Sequence, residues 1–382
     1  MDTKILIGAD IVPTKSNYVE FIEGNVETLV GKTMCDLLHE MDLTIFNLEV
    51  PLTDVISPLQ KCGPNLQALS KTINGIKKLN PYFFTLANNH ILDQGVQGLK
   101  ATMDILNREN IKYAGAGNDL KEASKPFVFE KNGIKIGIYC CAEREFSIAT
   151  ENKAGANPFD PLFSLDHIRL LKKDVDYVIV LYHGGKEHYR YPSPNLQKIC
   201  RRIVDSGANL VVCQHSHCIG CYEDWATGKI IYGQGNFLFD DSDSEFWKTS
   251  LLIEIIFKSK NDLSIKYIPI VKVGNGIRLA ENEKKEEIIN GFEDRSKRII
   301  ESAFIETEYS KFAQQYINTY LRTGMPHNAS LFNRVFNKLS KGTWFEKRIT
   351  KEQKLALCNY LECEAHRELF LQGLKESLRK SS

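Results

Sequence analysis

Short apolar runs alternate with amphipathic helical patterns along most of the chain, from residue 4 to about residue 275. An alternation of this kind is typical of an α/β protein in which helices cover a sheet. The stretch 96–109, for example, places Leu99, Met103 and Leu106 on one face of a helix. Two short meanders, at 125–140 and 250–273, are predicted to be antiparallel.

The predicted elements define the α/β region in detail. Its predicted strands are residues 4–9, 43–47, 82–86, 112–114, 127–130, 135–140, 177–182, 209–213, 229–232, 250–257 and 264–273. Its predicted helices are residues 26–39, 66–78, 96–109, 165–173 and 194–206.

The pattern changes after residue 280, where the charged run 281–287 begins. Strand-like stretches are missing beyond it, and helical spacing with mixed charge covers 291–321, 331–339 and 351–378. The sequence therefore predicts an α/β domain over residues 1–280 and a helical C-terminal region over 281–382. Packing on the main domain, formation of a homo-oligomer and capping of a substrate are all open roles for that region.

Composition restricts the class of protein and of partner. Lys and Arg together number 49 and Asp and Glu 48, and this balance argues against a nucleic-acid-binding protein, which usually has a strongly basic face. The chain enters an apolar run at residue 5, without the basic start and cleavage site of a secretory leader. No stretch approaches the roughly 18 apolar residues that span a bilayer. Together with ten cysteines scattered among apolar runs, these features predict a cytoplasmic protein with reduced thiols.

Residues of the types that bind metals follow five of the predicted strands. The carboxyl ends of strands in an open α/β sheet face the crevice where ligands bind, so we expect these five loops to converge. Each residue alone has an ordinary explanation, such as a helix cap for a single aspartate. The five sets are Asp10; Glu49; Asn89 with His90; His183; and His215 with His217.

The pair His215 and His217 is the most informative of these sets. Imidazole is the commonest metal ligand in proteins, and two imidazoles one residue apart can serve neighbouring metal positions. Cys218 and Cys221 follow directly and could bind zinc, but a structural zinc site needs a second ligand pair at a suitable spacing. The sequence therefore predicts a metal centre built from carboxylates, an amide and histidines.

These residues, taken in order, resemble the CapA family of capsule and poly-γ-glutamate synthesis proteins, whose fold is similar to that of the calcineurin-like metallophosphoesterases. The resemblance covers about residues 4–255 and does not extend to the helical C-terminal region. It implies a layered α/β/β/α sandwich of the metallophosphoesterase type with a C-terminal helical appendage. The matching residues are Gly8, Asp10, 42–49, 86–90, Asp93, Gly95, Gly98, 115–117, 183–185, Glu187, Pro192, Gln197, 207–208, His215, His217 and 235–237.

The resemblance also implies a role for each site residue. Asp10 and His217 would hold one metal, Glu49 would bridge, and Asn89, His183 and His215 would hold the other. His90 would be free to stabilise a transferring phosphoryl group or to protonate the leaving oxygen. Asp93 and Glu187 would not bind metal themselves but would orient histidines of the site. Oxygen and imidazole ligands favour divalent Mn, Fe or Zn.

Two departures from the metallophosphoesterase pattern leave one metal or two open. A histidine usually stands two residues after the first aspartate, and here that position is Val12. The bridging residue Glu49 stands where an aspartate is usual. The expected function is hydrolysis of a phosphoester or a related anionic substrate, linked to capsule or poly-γ-glutamate metabolism. The alternative is an accessory protein that binds an anionic polymer or its precursors without hydrolysing them, and a nuclease is disfavoured by the charge balance.

Overall fold

In the computed structural model of the chain, the described residues are 2–61, 63–260, 262–324 and 350–362, with the single positions 366, 370, 374 and 378. Their strands are β1 (Thr3–Val12), β2 (Leu43–Leu48), β3 (Phe83–Thr85), β4 (Lys112–Ala114), β5 (Ala116–Gly117), β6 (Phe127–Lys131), β7 (Ile134–Ala142), β8 (Gly155–Ala156), β9 (Tyr177–His183), β10 (Leu210–Gln214), β11 (Tyr222–Trp225), β12 (Gly228–Ile231), β13 (Asn236–Phe239), β14 (Thr249–Ser259), β15 (Asp262–Val273) and β16 (Gly276–Leu279).

The helices of the described residues are mostly short. They are α1 (Tyr18–Glu23), α2 (Val26–Val30), α3 (Lys32–His39), α4 (Ile73–Ile76), α5 (Gly95–Arg108), α6 (Leu120–Ala123), α7 (Ser164–Asp174), α8 (Pro194–Asp205), α9 (Asn282–Arg298), α10 (Phe304–Gly324) and α11 (Lys351–Glu362), with 3₁₀ turns at Ser70–Thr72, Lys77–Leu79 and Glu245–Trp247.

Two mixed sheets form the centre of the fold. The first has the order β16-β15-β14-β1-β2-β3-β4, with β13 also paired to β1. The second has the order β11-β12-β10-β9-β7-β6. Strands β1 to β4 run parallel, as do β7, β9, β10 and β12. Parallel pairing aligns their carboxyl ends, and the loops that follow them lie at the same edge.

Apolar side chains fill three layers. Ile7 of β1 and Ile179 of β9 lie in the core between the two sheets. Leu6 faces the opposite side of β1 and packs in a second core with residues of helices α3 and α5. A third core lies beneath α7 and α8 and includes Val180 and Ile203. Successive side chains of a strand point to opposite faces, so these three cores cover both faces of each sheet with apolar residues. The predicted α/β/β/α layering is thereby confirmed.

Several predicted elements are correct, and others needed correction. Strands β6 and β7 form the predicted antiparallel hairpin, and so do β14 and β15. The predicted helix 26–39 is wrong as a single element, because Gly31 separates α2 from α3. The predicted helix 66–78 is reduced to α4 and the 3₁₀ turns on either side of it. Strands β11, β13 and β16 were not predicted, and the predicted helix 331–339 lies outside the described residues.

The chain divides by its internal contacts into Met1–Glu306 and Thr307–Ser382. Helix α9, which the sequence places in the helical C-terminal region, packs on β11 and β15 of the first unit. Every helix in the described part of the chain is too short or too polar to cross a membrane. The described cysteines all carry free thiols.

Candidate metal centre

The carboxyl ends of four parallel strands bring the predicted ligands to one place. Asp10 lies near the end of β1, Glu49 directly follows β2, and His183 is the last residue of β9. His215 and His217 follow β10, one and three residues beyond its last residue. The two sheets therefore contribute different ligand types, with carboxylates from the first and imidazoles from the second.

Two groups of potential ligands form around Glu49. In one, ligand atoms of Glu49, His183 and His215 lie within 4.8 Å of one another. In the other, ligand atoms of Asp10, Glu49 and His217 lie within 4.8 Å of one another. Asp10, Glu49, His183 and His217 are buried, and Glu49 belongs to both groups. In the described residues, no cysteine belongs to a group of this kind, so the candidate zinc pair Cys218 and Cys221 is not supported.

The amide Asn89 joins the group around His183. Its Oδ1 lies 3.0 Å from Nε2 of His183, and that same nitrogen lies 3.4 Å from Oε1 of Glu49. An imidazole nitrogen, an amide oxygen and a carboxylate oxygen thus converge from three separate loops. These three residues are among those that the resemblance implies for one metal position, and their role as metal ligands stays a prediction.

Asparagines hold the first carboxylate and the last histidine. Asn47 donates from Nδ2 to Oδ1 of Asp10 at 2.8 Å. Nδ1 of His217 lies 2.8 Å from Oδ1 of Asn236 and 3.6 Å from Oδ2 of Asp10. Asn236 is the first residue of β13 and stands in register with Asp10, which brings it to the site. Two amides therefore fix the orientation of Asp10 and His217.

The backbone at the two histidines that follow β10 is strained. His215 has a φ of 87° and His217 a φ of 52°, a region that residues other than glycine seldom adopt. Left-handed backbone at non-glycine residues costs free energy and clusters at functional sites. Both imidazoles are directed into the cluster by this conformation, as their rings lie 6.1 Å apart and that of His215 lies 4.8 Å from that of His183.

Several buried polar atoms at the site have no hydrogen-bond partner. They include Oδ2 of Asp10, both carboxylate oxygens of Glu49 and Nδ1 of His215. A buried polar atom without a partner costs free energy, and its presence in a native site requires an explanation such as a bound ion. Unpaired oxygens and nitrogens that face one another fit divalent cations as their missing partners.

The electrostatics of the cluster support the same fit. Burial, with the negative charge of Asp10 beside it, raises the pKa of Glu49 to about 8. Burial lowers the pKa of His183 to about 3 and also lowers that of His215, so both imidazoles are neutral and able to bind metal. Burial opposes a charge on His217, but its close contact with Asp10 and the negative charge of Glu49 outweigh burial and raise its pKa to about 9. Cations would relieve the repulsion between the two carboxylates.

His90 and Asp93 form a hydrogen-bonded pair beside the cluster. Nδ1 of His90 lies 2.6 Å from Oδ2 of Asp93, which is fully buried. His90 itself is 9% exposed, so its imidazole reaches the edge of the site. Asp93 is thus in contact with a histidine, and its expected role in orienting that histidine stays a prediction.

Glu187 is half-buried at the rim. Burial raises its pKa, but electrostatic interactions with the neighbouring His215 and His217 outweigh burial and leave its pKa below the usual value. Glu187 is therefore near those histidines, and its predicted role in orienting them stays a prediction.

Sequence reasoning did not identify the aromatic residues that pack against His217. The ring of Trp247 lies 4.8 Å from that of His217, and its Nε1 donates to Nε2 of His188 at 2.8 Å. The ring of Phe239 contacts His217 from another side at 5.5 Å. These aromatic residues come from the segment after β12, where no ligand-type pattern marks them.

Comparisons with known proteins show which family the chain is similar to. The family model described as the bacterial capsule synthesis protein PGA_cap matches residues 10–241. The PGA biosynthesis protein CapA of Bacillus subtilis (strain 168) is 30% identical over 210 residues, which cover 54% of this chain and 55% of that protein. The capsule biosynthesis protein CapA of Bacillus anthracis is 28% identical over 242 residues, which cover 61% of this chain and 59% of that protein. The chain thus spans little more than half the length of these curated relatives.

Among solved structures, a novel phosphatase of Mycoplasma pneumoniae has a TM-score of 0.45 and 16% identity, covering 71% of this chain and 94% of that one. The NAD nucleotidase of Haemophilus influenzae has a TM-score of 0.44 and 13% identity, covering 76% of this chain and 55% of that one. Likeness at this level carries no argument about function, and the candidate site rests on the residues of this chain.

Proposed function

The chain belongs to the bacterial capsule synthesis protein family PGA_cap, and we propose that it is a divalent-metal-dependent hydrolase linked to capsule or poly-γ-glutamate metabolism. Its substrate would be a phosphoester or a related anionic compound. The observation that carries the proposal is the pair of buried ligand groups that share Glu49 and contain unpaired carboxylate oxygens.

The residues divide between two metal positions. In the proposed assignment, Asp10 and His217 would hold one cation, and Asn89, His183 and His215 would hold the other. Glu49, which belongs to both ligand groups, would be shared between the two positions. The donors are oxygen and imidazole nitrogen, a set that suits Mn, Fe or Zn, and a cation at the first position would displace the proton that the raised pKa of His217 keeps on that ring. Val12 stands where the related pattern has a histidine, so the first position has fewer protein ligands and would bind more weakly.

Bound divalent cations supply Lewis acidity, which activates water for attack and offsets negative charge on the substrate. The chain itself supplies the proton. His90 lies at the edge of the cluster with Nδ1 on Asp93, which leaves Nε2 free to face a leaving oxygen. Asp93 fixes the ring of His90 in that orientation. The surrounding burial excludes bulk water, and charge interactions inside the site are stronger as a result.

A second function is favoured by the family itself. Its description and the names of the two Bacillus relatives refer to the synthesis of capsule and of poly-γ-glutamate rather than to hydrolysis. Under this alternative, the cluster would bind an anionic polymer or its precursor through a cation, without bond cleavage. The substitution of a histidine by Val12 is consistent with a weakened catalytic centre.

One experiment tests the hydrolase proposal. Protein purified without chelators is assayed by elemental analysis and with a generic aryl phosphate, as wild type, His90→Ala and His215→Ala. We expect one or two divalent ions per chain and a rate that falls about 10²-fold or more in His90→Ala, because general acid catalysis contributes on this scale. His215→Ala should lose metal and activity together. The exposed His39, whose Nδ1 lies 2.8 Å from the backbone oxygen of Cys35, provides the control His39→Ala with unchanged rate.

The same proteins discriminate the alternative. Metal-loaded wild type that binds poly-γ-glutamate but cleaves no phosphoester would support the accessory function. Wild type without bound metal and without hydrolysis would contradict the hydrolase proposal.

A further inference from the structure

A buried lysine lies behind the pair formed by His90 and Asp93. Nζ of Lys61 is 2.5 Å from Oδ1 of Asp93, and the two side chains are 2% and 0% exposed. The same ammonium is 3.4 Å from Nδ1 of His90 and 5.0 Å from the ring centre of Phe146. A lysine is seldom fully buried unless it is paired, so this position has a specific partner in Asp93.

Lys61 belongs to an irregular segment, which we name the strap and define as residues 57–61 and 63–66. Its described residues form neither helix nor strand, so its position depends on contacts with its surroundings. Those contacts go to Asp93 and Gln94. The amide of Leu59 donates to the backbone oxygen of Asp93 at 2.9 Å, and the amide of Leu66 donates to its Oδ2 at 2.6 Å.

Gln94 holds both ends of the strap. Its Oε1 accepts from the amide of Ser57 at 2.8 Å, and its Nε2 donates to the backbone oxygen of Leu66 at 3.1 Å. Asp93 therefore connects the strap to His90, because one carboxylate is in contact with Lys61, Leu66 and the imidazole.

We propose that Lys61 is a positioning residue, whose ammonium holds the strap on Asp93 and thereby fixes the imidazole of His90 toward the substrate. The inference rests on the proposed hydrolase function for its catalytic consequence, but not for its structural one. A buried carboxylate that loses its cation either rotates to find other donors or draws in water. Either change releases the imidazole, and small displacements of a reacting group can cost about 10²-fold in rate.

The test compares Lys61→Met with Lys61→Arg. Methionine retains the unbranched apolar stem without the charge, whereas arginine retains the charge on a longer side chain. Lys77→Met is the matched control, because Lys77 forms an ion pair with Glu109 at 3.0 Å that is largely open to solvent. Bound metal, KM and kcat on the aryl phosphate, and amide hydrogen exchange of the strap are measured for each protein.

We expect kcat of Lys61→Met to fall about 10- to 100-fold, with KM within about threefold of wild type and bound metal unchanged. Amides of the strap, in particular those of Leu59 and Leu66, should exchange faster. Lys61→Arg should recover part of kcat and part of the exchange protection, and Lys77→Met should match wild type in every measurement. This separation of kcat from KM and metal content is not expected of a residue that only stabilises the fold.

Other outcomes would overturn the inference. Wild-type kcat in Lys61→Met would do so, and so would a loss of metal in proportion to the loss of rate. If Lys61→Met does not fold, Lys61→Arg decides, since full activity with a displaced strap contradicts the proposal. If wild type shows no hydrolysis, the proposed function is wrong, but the anchoring role of Lys61 is still tested by hydrogen exchange. Exchange protection of the strap that is the same in Lys61→Met as in wild type would exclude that role.

Discussion

At the scale of single residues, the central feature is a pair of carboxylates in a site closed to bulk water. Asp10 and Glu49 are both fully buried and face the same cluster. Burial opposes the charge of Asp10, but its contacts with His217 outweigh burial and keep its pKa below the usual value. Burial and the charge of Asp10 together raise the pKa of Glu49 to about 8. Like charges at close range divide in this way, one ionised and one protonated.

This division predicts how the stability of metal-free protein depends on pH. The pKa of Glu49 rises from a usual 4.5 to about 8 on folding, so folded protein binds the proton more tightly than unfolded protein does. The stabilisation is complete below pH 4.5 and is lost as pH rises to about 8. Glutamine at position 49 does not ionise, so Glu49→Gln should not lose stability in this pH range. In chelator-treated protein, we expect the melting temperature of Glu49→Gln relative to wild type to increase by roughly 5 °C or more between pH 5 and pH 8.

The control for that experiment is Glu40→Gln, because Glu40 is exposed and its ion pair with Lys4 spans 3.8 Å. Its melting curve should parallel that of wild type at every pH. Addition of Mn²⁺ or Zn²⁺ at pH 8 should raise the melting temperature of wild type more than that of Glu49→Gln. If the melting temperatures of wild type and Glu49→Gln depend on pH in the same way, the pKa of Glu49 is not raised in the metal-free site.

The sequence permitted prediction of the ligand residues but not of their supports. Asp10, Glu49 and His183 follow apolar runs, and the parallel strand order brings such positions together. Lys61 and Trp247 carry no comparable signal. Each lies in a segment without periodicity. Lys61 contacts Asp93, which is 32 residues away in the sequence, and Trp247 contacts His217, which is 30 residues away. Only the tertiary fold brings these partners together.

At the scale of elements, Gly31 decides where one helix ends and another begins. The predicted helix 26–39 has suitable apolar spacing throughout, yet Gly31 has a φ of 78° and a ψ of 155°. This backbone conformation is essentially restricted to glycine. The side chain of Arg278 then caps α2, donating from Nη1 to the backbone oxygen of Leu29 at 2.7 Å. Periodicity alone could not reveal this break, because its signal is the torsion of a single residue.

We expect Gly31→Ala to destabilise the protein by about 1–3 kcal/mol, the usual cost of forcing a side chain into this backbone region. The added Cβ would also lie 3.1 Å from Cδ of Arg278 and would disturb the cap. Gly291→Ala is the matched control, since Gly291 lies inside α9, where alanine is favoured by about 0.5–1 kcal/mol. Denaturant unfolding should therefore give opposite signs for the two substitutions. Equal effects would contradict the assigned break between α2 and α3.

Strand boundaries were predicted well where the sequence is continuously apolar, and a short strand without such a run was missed. Strands with continuous apolar runs, such as β9 and β10, were predicted within one residue at each end. Strand β13 was missed, because its sequence Asn236–Phe239 is short and follows two glycines. Its pairing with β1 becomes evident only when the sheet is assembled, although it places Asn236 on His217.

At the scale of the whole molecule, helix α9 determines where the first unit ends. Phe292 is fully buried, with its ring 5.2 Å from that of Tyr222 and 4.9 Å from that of Tyr267. Arg295 donates from Nε to the backbone oxygen of Gly220 at 2.7 Å, in the loop that follows His217. Helix α9 therefore completes the core between the sheets and supports the ligand loop, although its sequence is polar enough to suggest an appendage.

Two truncations test this role of α9. A chain of residues 1–306 retains α9 and should unfold cooperatively, with a melting temperature close to that of the full chain and with unchanged bound metal. A chain of residues 1–280 loses the burial of Phe292 and Ile288, at a cost of about 1.5–3 kcal/mol for each side chain, and also loses the support of Arg295. We expect it to melt at least about 10 °C lower, to bind less metal and to aggregate through the exposed core. Phe292→Ala in the full chain should reproduce part of the loss, because it removes the buried ring without removing the helix. Equal stability and equal metal content in the two truncated chains would show that α9 is an appendage after all, and that the ligand loop holds its position without it.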